Sequence, residues 1–363
     1  MTEDGALLNL SEVEIKSQSG NYKVLIQDTL KPKTTNSYYL IDRGINLSVE
    51  ISKDRIVYLT AQERDKNLAT VERVMLNLSS LGMTKKNNLV VIGGGFLQDI
   101  GTLVSSLYMR GVEWVFMPTT LAAMGDSCVG GKSSINAGDV KNLVGNFYPP
   151  SQILIDLRFV ESLPLIEKIA GFSEILKICF AHSSKNFHKL LKLVNFNQIE
   201  PSIEELSEIV RLSVESKKYF IEEDEFDTGI RKKLNFGHSF GHALESATDY
   251  KIPHGVAVLL GMLAACNHPS AQSNQETEML CSISLIMLRQ VRIDIESALQ
   301  QVNFDKFESA ISKDKKNSDS DLLLILPGKD ELEIVSLPFK NASVTSASSS
   351  MKDVIERFLS EVR

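Results

Sequence analysis

The chain has 363 residues, 43% hydrophobic and 23% charged, with a formal net charge of −7, and its length suits two domains and a substantial core. The acidic balance leaves no basic surplus to drive binding to nucleic acid or a membrane surface, though a local basic site for a small anion is compatible with it. No basic segment followed by an apolar core is readable at the start, and the longest apolar stretch, 256–266, is too short for a bilayer-spanning helix. Cys128, Cys179, Cys266 and Cys281 form no CxxC pair. They are expected to be reduced, mostly buried thiols of a cytoplasmic protein.

In chain order, short apolar runs at 23–26, 38–41, 55–59, 89–92, 113–117 and 152–155 are expected strands. Between them, Leu68, Val71, Val74, Met75 and Leu78 recur at helical spacing, as do Ile100, Leu103, Val104 and Leu107. This alternation predicts an α/β domain with a largely parallel sheet. After Pro164 the text turns helical, at 169–181, 204–220, 234–248, 256–266 and 276–291, with strand-like runs only at 322–326 and 332–335. The expected division is therefore an α/β domain over 1–164 and a mostly α-helical one over 165–363. The Ser-rich stretch 341–350 reads as a connector to a last helix at 351–362.

Gly93, Gly94 and Gly95 follow an apolar strand and precede a helix beginning near Gln98. Glycine lets backbone N–H groups approach a pyrophosphate, and a helix N-terminus adds a favourable dipole. The spacing departs from GxGxxG because Gln98 stands at the third glycine, and a tight turn is the competing reading. A second Gly-rich segment runs from Asp126 to Lys132, followed by Lys141 and Asn142. Such residues on loops suit an anion or polyol site, with a solvated loop as the alternative.

His238 and His242 are four apart on a helical pattern and share one face. Glu174 and Lys177 are three apart on another, and His254 follows Pro253 at a helix start. A catalytic zinc takes three protein ligands and keeps a position for water or substrate, which two histidines and a glutamate can satisfy. Hydrogen-bonded or solvated histidines are the plainer reading of the same spacing.

These motifs together resemble 3-dehydroquinate synthase, within the sugar-phosphate cyclases, from about Asp42 to Lys316. In family order come GGGxxxD at Gly93 to Asp99, YMRG at Tyr108 to Gly111, PTTL at Pro118 to Leu121 and DSxVGGK at Asp126 to Lys132. KN at Lys141 and Asn142, GxxExxK at Gly171 to Lys177, RxxLNFGHSxGHAxE at Arg231 to Glu245 and PHG at Pro253 to Gly255 follow. The resemblance implies an NAD-binding α/β domain followed by a mostly helical metal- and substrate-binding domain. It implies Glu174, His238 and His254 as ligands of a divalent metal, zinc first and cobalt second. NAD would be held by Asp42, Glu63, Lys66, Gly94, Gly95, Asp99, Thr119, Thr120, Lys141, Phe159, Ser162 and Glu167. Substrate would meet Asp126, Lys132, Asn142, Lys177, Lys217, Arg231, Asn235, His242 and a lysine of the 314–316 run, taken as Lys316. Arg110 matches an arginine that reaches the neighbouring subunit's phosphate site, implying a homodimer.

The implied reaction oxidises a substrate alcohol by hydride transfer to NAD, eliminates phosphate, returns the hydride, opens the ring and closes it by an aldol step. Three departures touch affinity and substrate shape: Gln98 in GGGVxGD, the missing glycine before Lys141, and Val256 in HGEAV. The rivals are a cyclase for another sugar phosphate and a polyol or glycerol-phosphate dehydrogenase. Arg231 favours the carboxylated substrate, 3-deoxy-arabino-heptulosonate 7-phosphate.

Overall fold

A computed structural model describes residues 11–27, 36–47, 51–138, 140–313, 321–338 and 340–360. Its contacts divide the chain into two units, Met1–Leu163 with Ser202–Phe226, and Pro164–Pro201 with Asp227–Arg363.

The first unit carries β1 (Ser11–Ile15), β2 (Tyr22–Gln27), β3 (Ser37–Asp42), β4 (Ile56–Leu59), β5 (Asn88–Gly93) and β6 (Trp114–Pro118). A small hairpin of β7 (Ile135–Ala137) and β8 (Val140–Val144) precedes β9 (Gln152–Asp156). Seven strands form one sheet in the order β1-β2-β9-β6-β5-β3-β4. All pairings are parallel except the edge pair β1–β2. The six runs expected from sequence are six of these strands, while β1 and the hairpin are additional. The central strands β3 and β5 are buried nearly throughout, which explains their continuous apolar text. Tyr39, Ile41, Val90, Ile92, Met117 and Leu154 pack together as the core of one face.

Helix α1 (Leu68–Ser80) begins at Asn67, whose side chain accepts from Thr70 N, and α2 (Gly95–Leu107) follows β5 directly. Gly101 of α2 sits so close to the sheet that a Cβ there would lie 2.6 Å from Val91 Cγ2. The close helix–strand contact that a dinucleotide fingerprint assigns to its third glycine is thus provided by Gly101, leaving position 98 able to carry glutamine.

Next come α3 (Leu165–His182) and α4 (Ser184–Leu193) of the second unit, then α5 (Ile203–Glu223) of the first. A capping box between Ser202 and Glu205 starts α5. Ser213 Oγ donates to Gly125 O at 2.7 Å, and Glu225, just past the helix, accepts from Ser17 Oγ at 2.8 Å and Gln18 N at 2.6 Å. These long-range bonds assign 202–226 to the sheet unit, whereas the sequence reading placed all of 165–363 in the second domain.

The second unit adds α6 (His238–Ala247), α7 (His254–Cys266), α8 (Gln275–Gln290), α9 (Arg292–Gln300) and α10 (Phe304–Ser312). An antiparallel hairpin of β10 (Asp321–Pro327) and β11 (Leu332–Pro338) leads to α11 (Asn341–Ser360). Helix α7 is buried on every side from Gly255 to Ala265, as an all-apolar helix must be, and α3, α6, α8 and α11 pack around it. The helix expected at 234–248 starts only at His238, because Gly237 takes the left-handed region at φ 76° and Ile230–Asn235 is a 3-10 turn. The serine-rich stretch is the first half of α11 and no connector. Ala347, Ser348 and Ser350 are buried there, and Ser350 Oγ returns its bond to Ser346 O at 3.0 Å, so packing overrides weak local propensity. No helix among the described residues is long and apolar enough to cross a membrane.

Candidate functional site

In the first unit, the chain leaves β3 for β4 on one side, then returns to pair β5 on the other and continues to β6. The carboxyl ends of β3 and β5 therefore flank a topological switch point, where open α/β sheets bind ligands. Asp42 ends β3 and accepts from Gly44 N at 3.1 Å, while Gly93 ends β5 and Gly94 is the N-cap of α2. A Cβ on Gly94 would stand 3.1 Å from Thr120 Cγ2, and Thr119 N donates to Gly93 O at 3.0 Å. Bare backbone at a helix N-terminus is what a pyrophosphate requires.

A polar network borders this loop. Lys66 Nζ pairs with Asp99 Oδ2 at 2.6 Å, and Ser134 N donates to Asp99 Oδ1 at 2.9 Å. Burial still pushes the Asp99 carboxyl above its ordinary range, against Lys66 and Ser134. Glu63 meets Lys141 Nζ at 3.5 Å and Asn136 Nδ2 at 3.0 Å, and Asn136 Oδ1 accepts from Asn142 N at 3.0 Å. Asn142 holds φ 53°, a left-handed backbone within β8. Asn136, which the sequence reading did not single out, thus joins Glu63 to Asn142. Phe159 lies in the 3-10 turn Leu157–Val160, and Ser162 Oγ donates to its carbonyl at 3.2 Å. Glu167 falls in the second unit, on the first turn of α3, where burial raises its carboxyl pKa.

Asp126 lies in a short π-helical stretch, Ala123–Ser127. Lys217 of α5, 6% exposed, donates to both its carbonyl at 2.7 Å and its carboxylate. The neighbouring Ser127 is clamped by Gln98: Gln98 Nε2 donates to Ser127 O, and Ser127 Oγ donates to Gln98 Oε1, both at 2.6 Å. The departure from the phosphate-loop pattern therefore ties the start of α2 to the segment bearing Asp126. Lys132 is exposed beside this segment and bridges to Phe147.

In the second unit, α3, α6 and α7 bring one carboxylate and three histidines together. His238 and His242 lie one turn apart on α6, and His254 opens α7. Their ring centroids are 5.2–5.4 Å apart, and one nitrogen from each lies within 4.8 Å of the others. Glu174, 3% exposed, points Oε1 at His254 Nε2 from 3.4 Å and pairs its other oxygen with Lys177, 2% exposed. Glycine makes the crossing possible: a Cβ on Gly255 would lie 2.1 Å from Ala170 O of α3, and one on Gly261 2.1 Å from Gly237 O.

Two outer bonds orient the rings. His238 Nδ1 faces Phe236 O at 3.3 Å, and His254 Nδ1 faces Glu245 Oε2 at 3.2 Å. With each Nδ1 donating outward, Nε2 is left as a lone-pair donor, the arrangement of metal-bound histidines. Burial opposes charge on His254, but the bond and charge of Glu245, with the charge of Glu174, outweigh it and raise its pKa. Glu245 is a residue the sequence reading passed over, although it lies seven residues after His238 on the same helical face. The chemistry of the set fits a borderline-soft divalent ion. Of the three histidines, His242 had been expected at the substrate, and the structure places it in the same cluster as the other two.

Arg231, 5% exposed, and Asn235 lie on the 3-10 turn just before α6. Arg110 lies on an exposed hook where it and Met109 both adopt positive φ, 63° and 47°. Lys85 Nζ braces that hook through Met109 O at 3.2 Å, and Tyr108 OH through Met83 O at 2.8 Å. Lys316 lies outside the described residues.

Residues 56–170 match the model of the 3-dehydroquinate synthase N-terminal region, and 171–317 that of the C-terminal region. The 3-dehydroquinate synthase of Dictyoglomus thermophilum is 34% identical over 297 residues, covering 78% of this chain and 80% of the relative. Among solved structures, 2-deoxy-scyllo-inosose synthase complexed with carbaglucose-6-phosphate, NAD+ and Co2+ superposes with a TM-score of 0.79 at 19% identity, over 94% of this chain and 99% of that one. The 2-epi-5-epi-valiolone synthase of Streptomyces hygroscopicus, with NAD+ and Zn2+ bound, gives 0.75 at 22% identity, over 98% and 100%. At these identities the two structures speak for the fold.

Proposed function

The chain belongs to the 3-dehydroquinate synthase family, and we propose that it converts 3-deoxy-arabino-heptulosonate 7-phosphate to 3-dehydroquinate and phosphate. The observation that carries this reading is the donor set of the second unit: buried Glu174 against His254, with His238 beside them and Lys177 in the same pocket of charge. Buried charge of this kind contributes little to stability and is characteristic of a working site.

Glu174, His238 and His254 would hold the metal, zinc first and cobalt second, while the switch-point loop with Asp42, Gly94, Gly95, Asp99, Thr119 and Thr120 would hold NAD. When bound, the metal polarises a substrate hydroxyl and NAD takes and returns its hydride, so the net conversion is redox-neutral. The chain's own groups do the rest. Lys177 keeps a proton at Nζ beside Glu174, placing a cation and a hydrogen-bond donor in a water-poor site. Arg231 presents a planar fork that matches a carboxylate with two parallel hydrogen bonds. In the first unit Lys132, Asn142 and Lys217 supply donors for an anionic substrate, with Asp126 bonded to Lys217 and orienting it, and in the second Asn235, His242 and Lys316 do.

The strained hook at Met109 and Arg110 supports a homodimer in which Arg110 serves the partner's phosphate site, since backbone strain persists where function holds it. The acidic chain with thiol cysteines suits the cytoplasm.

The test is to supply NAD, zinc or cobalt and the heptulosonate phosphate, and to follow phosphate and NADH together. Phosphate release without NADH accumulation is expected; lasting NADH with no phosphate would make the chain a dehydrogenase. Arg231→Ala is expected to raise KM sharply, and an unchanged KM would point to a sugar phosphate lacking the carboxylate.

A further inference from the structure

Gln98 is 4% exposed in the first turn of α2, where its backbone N donates to Gly94 O at 3.1 Å. A buried glutamine amide must find partners for a donor end and an acceptor end. One residue supplies both: Ser127 O accepts from Nε2, and Ser127 Oγ donates to Oε1, each at 2.6 Å. Beyond Ser127, the carbonyl and carboxylate of Asp126 hold Lys217 of α5. Bonds from Cys128 N to Ala123 O at 3.1 Å and from Val129 N to Asp126 O at 3.2 Å fold the same turn back on itself. All of these residues belong to the first unit.

Resting on the reading above, in which Gly94 and Gly95 receive NAD and Lys217 meets an anionic substrate, we propose that Gln98 is a positioning residue for the reaction. Its amide fixes where the Asp126–Lys217 pair stands relative to the cofactor loop, and so holds cofactor and substrate in register. Gln98 acts through Ser127 and touches neither ligand itself.

The start of α2 is itself fixed to the sheet unit: Gly101 packs closely on Val91, and Asp99 is held by Lys66 Nζ at 2.6 Å and Ser134 N at 2.9 Å. Gln98 carries that fixity across to residues 126 and 127. Two bonds between the same pair of residues set an orientation as well as a distance, whereas one alone leaves a pivot. The Ser127 carbonyl is main chain, so moving it moves the turn that bears Asp126, and with it the acceptors of Lys217. The clamp also stands beside the loop, since a Cβ on Gly95 would lie 3.9 Å from Ser127 Oγ. A glycine at 98, as in the GGGVxGD pattern, would offer Ser127 neither a donor nor an acceptor.

The test compares wild type with Gln98→Met, which keeps the side chain's length and removes both bonds, and with Ser127→Ala, which removes one. With zinc, NAD and the heptulosonate phosphate, kcat of Gln98→Met is expected to fall by about 10–100-fold, the scale of a misplacement near 1 Å. KM for either ligand should change by less than about threefold. Ser127→Ala should lose less, and the double variant no more than Gln98→Met alone, since both act on one clamp. Amide-exchange mass spectrometry gives a readout without turnover: NAD alone should protect the Cys128 and Val129 amides in wild type but not in Gln98→Met, with the start of α2 protected in both. Should Gln98→Met fold poorly, Ser127→Ala is expected to show a partial loss of the same protection. Equal protection at 128 and 129 in wild type and variant, effects that multiply in the double variant, or a KM change that accounts for the whole loss of kcat/KM would each overturn the proposal. A wild type that gains no protection from NAD would overturn the cofactor reading and this proposal together. One that binds NAD but releases no phosphate would sink the substrate reading, and the exchange comparison would then decide the clamp.

Discussion

A metal-bound histidine needs its second nitrogen occupied, and both α6 and α7 arrange this differently. His238 uses the carbonyl of Phe236, two residues upstream, while His254 depends on the carboxylate of Glu245 at 3.2 Å. A carbonyl acceptor cannot be deleted by mutation, but Glu245 can. Glu245→Ala should lower metal affinity by about 10–100-fold, with Glu245→Gln losing less because the amide oxygen still accepts. Competition with a chromophoric chelator measures this, and affinity equal to wild type would remove Glu245 from the orienting role. The histidine spacing made part of this legible in sequence, since positions 238, 242 and 245 share a face. It could not rank the histidines: Glu174 enters from α3, and only tertiary contact places its Oε1 at His254 and leaves His242 beside the same point. The motif order, by contrast, carried the family directly.

Among elements, α7 bears the site's geometry, because its approach to α3 and α6 depends on two missing side chains. At Gly255 a Cβ would stand 2.1 Å from the Ala170 carbonyl oxygen, a backbone atom that cannot swing aside. Gly255→Ala must therefore push α7 from α3, at a cost of about 1–3 kcal/mol for overpacking. It should also move His254 from Glu174, so metal content should fall together with thermal stability. A variant that loses stability yet binds zinc as wild type would show that the α3–α7 distance does not set the site. This scale is where sequence was least legible. Gly237 reads as one more residue of a helical run, yet its φ of 76° ends the 3-10 turn and starts α6. The serines of α11 read as a connector because their helical state comes from burial within the second unit. Gly101 performs the packing sought at position 98, three residues away, where the fingerprint did not look.

On the scale of the molecule, the proposed function puts its two ligand sets in separate units: the switch-point loop belongs to one, and the Glu174–His238–His254 cluster to the other. Ligands stabilise what they bind, by about 4 kcal/mol at a thousand times Kd, and local opening is suppressed in the cooperative unit that carries the contacts. Zinc alone should therefore slow amide exchange in α3, α6 and α7, and NAD alone at the ends of β3 and β5 and the start of α2. Helix α5 gives the sharpest reading, because it lies between α4 and α6 in the chain but is bound to the sheet unit through Ser213, Lys217 and Glu225. Exchange mass spectrometry should find α5 following NAD rather than zinc, against its place in the sequence. Protection of α5 by zinc alone would mean that Ser202–Phe226 opens with the helical unit, and that its bonds to Gly125, Asp126 and the turn at Ser17 are too weak to decide which unit it folds with.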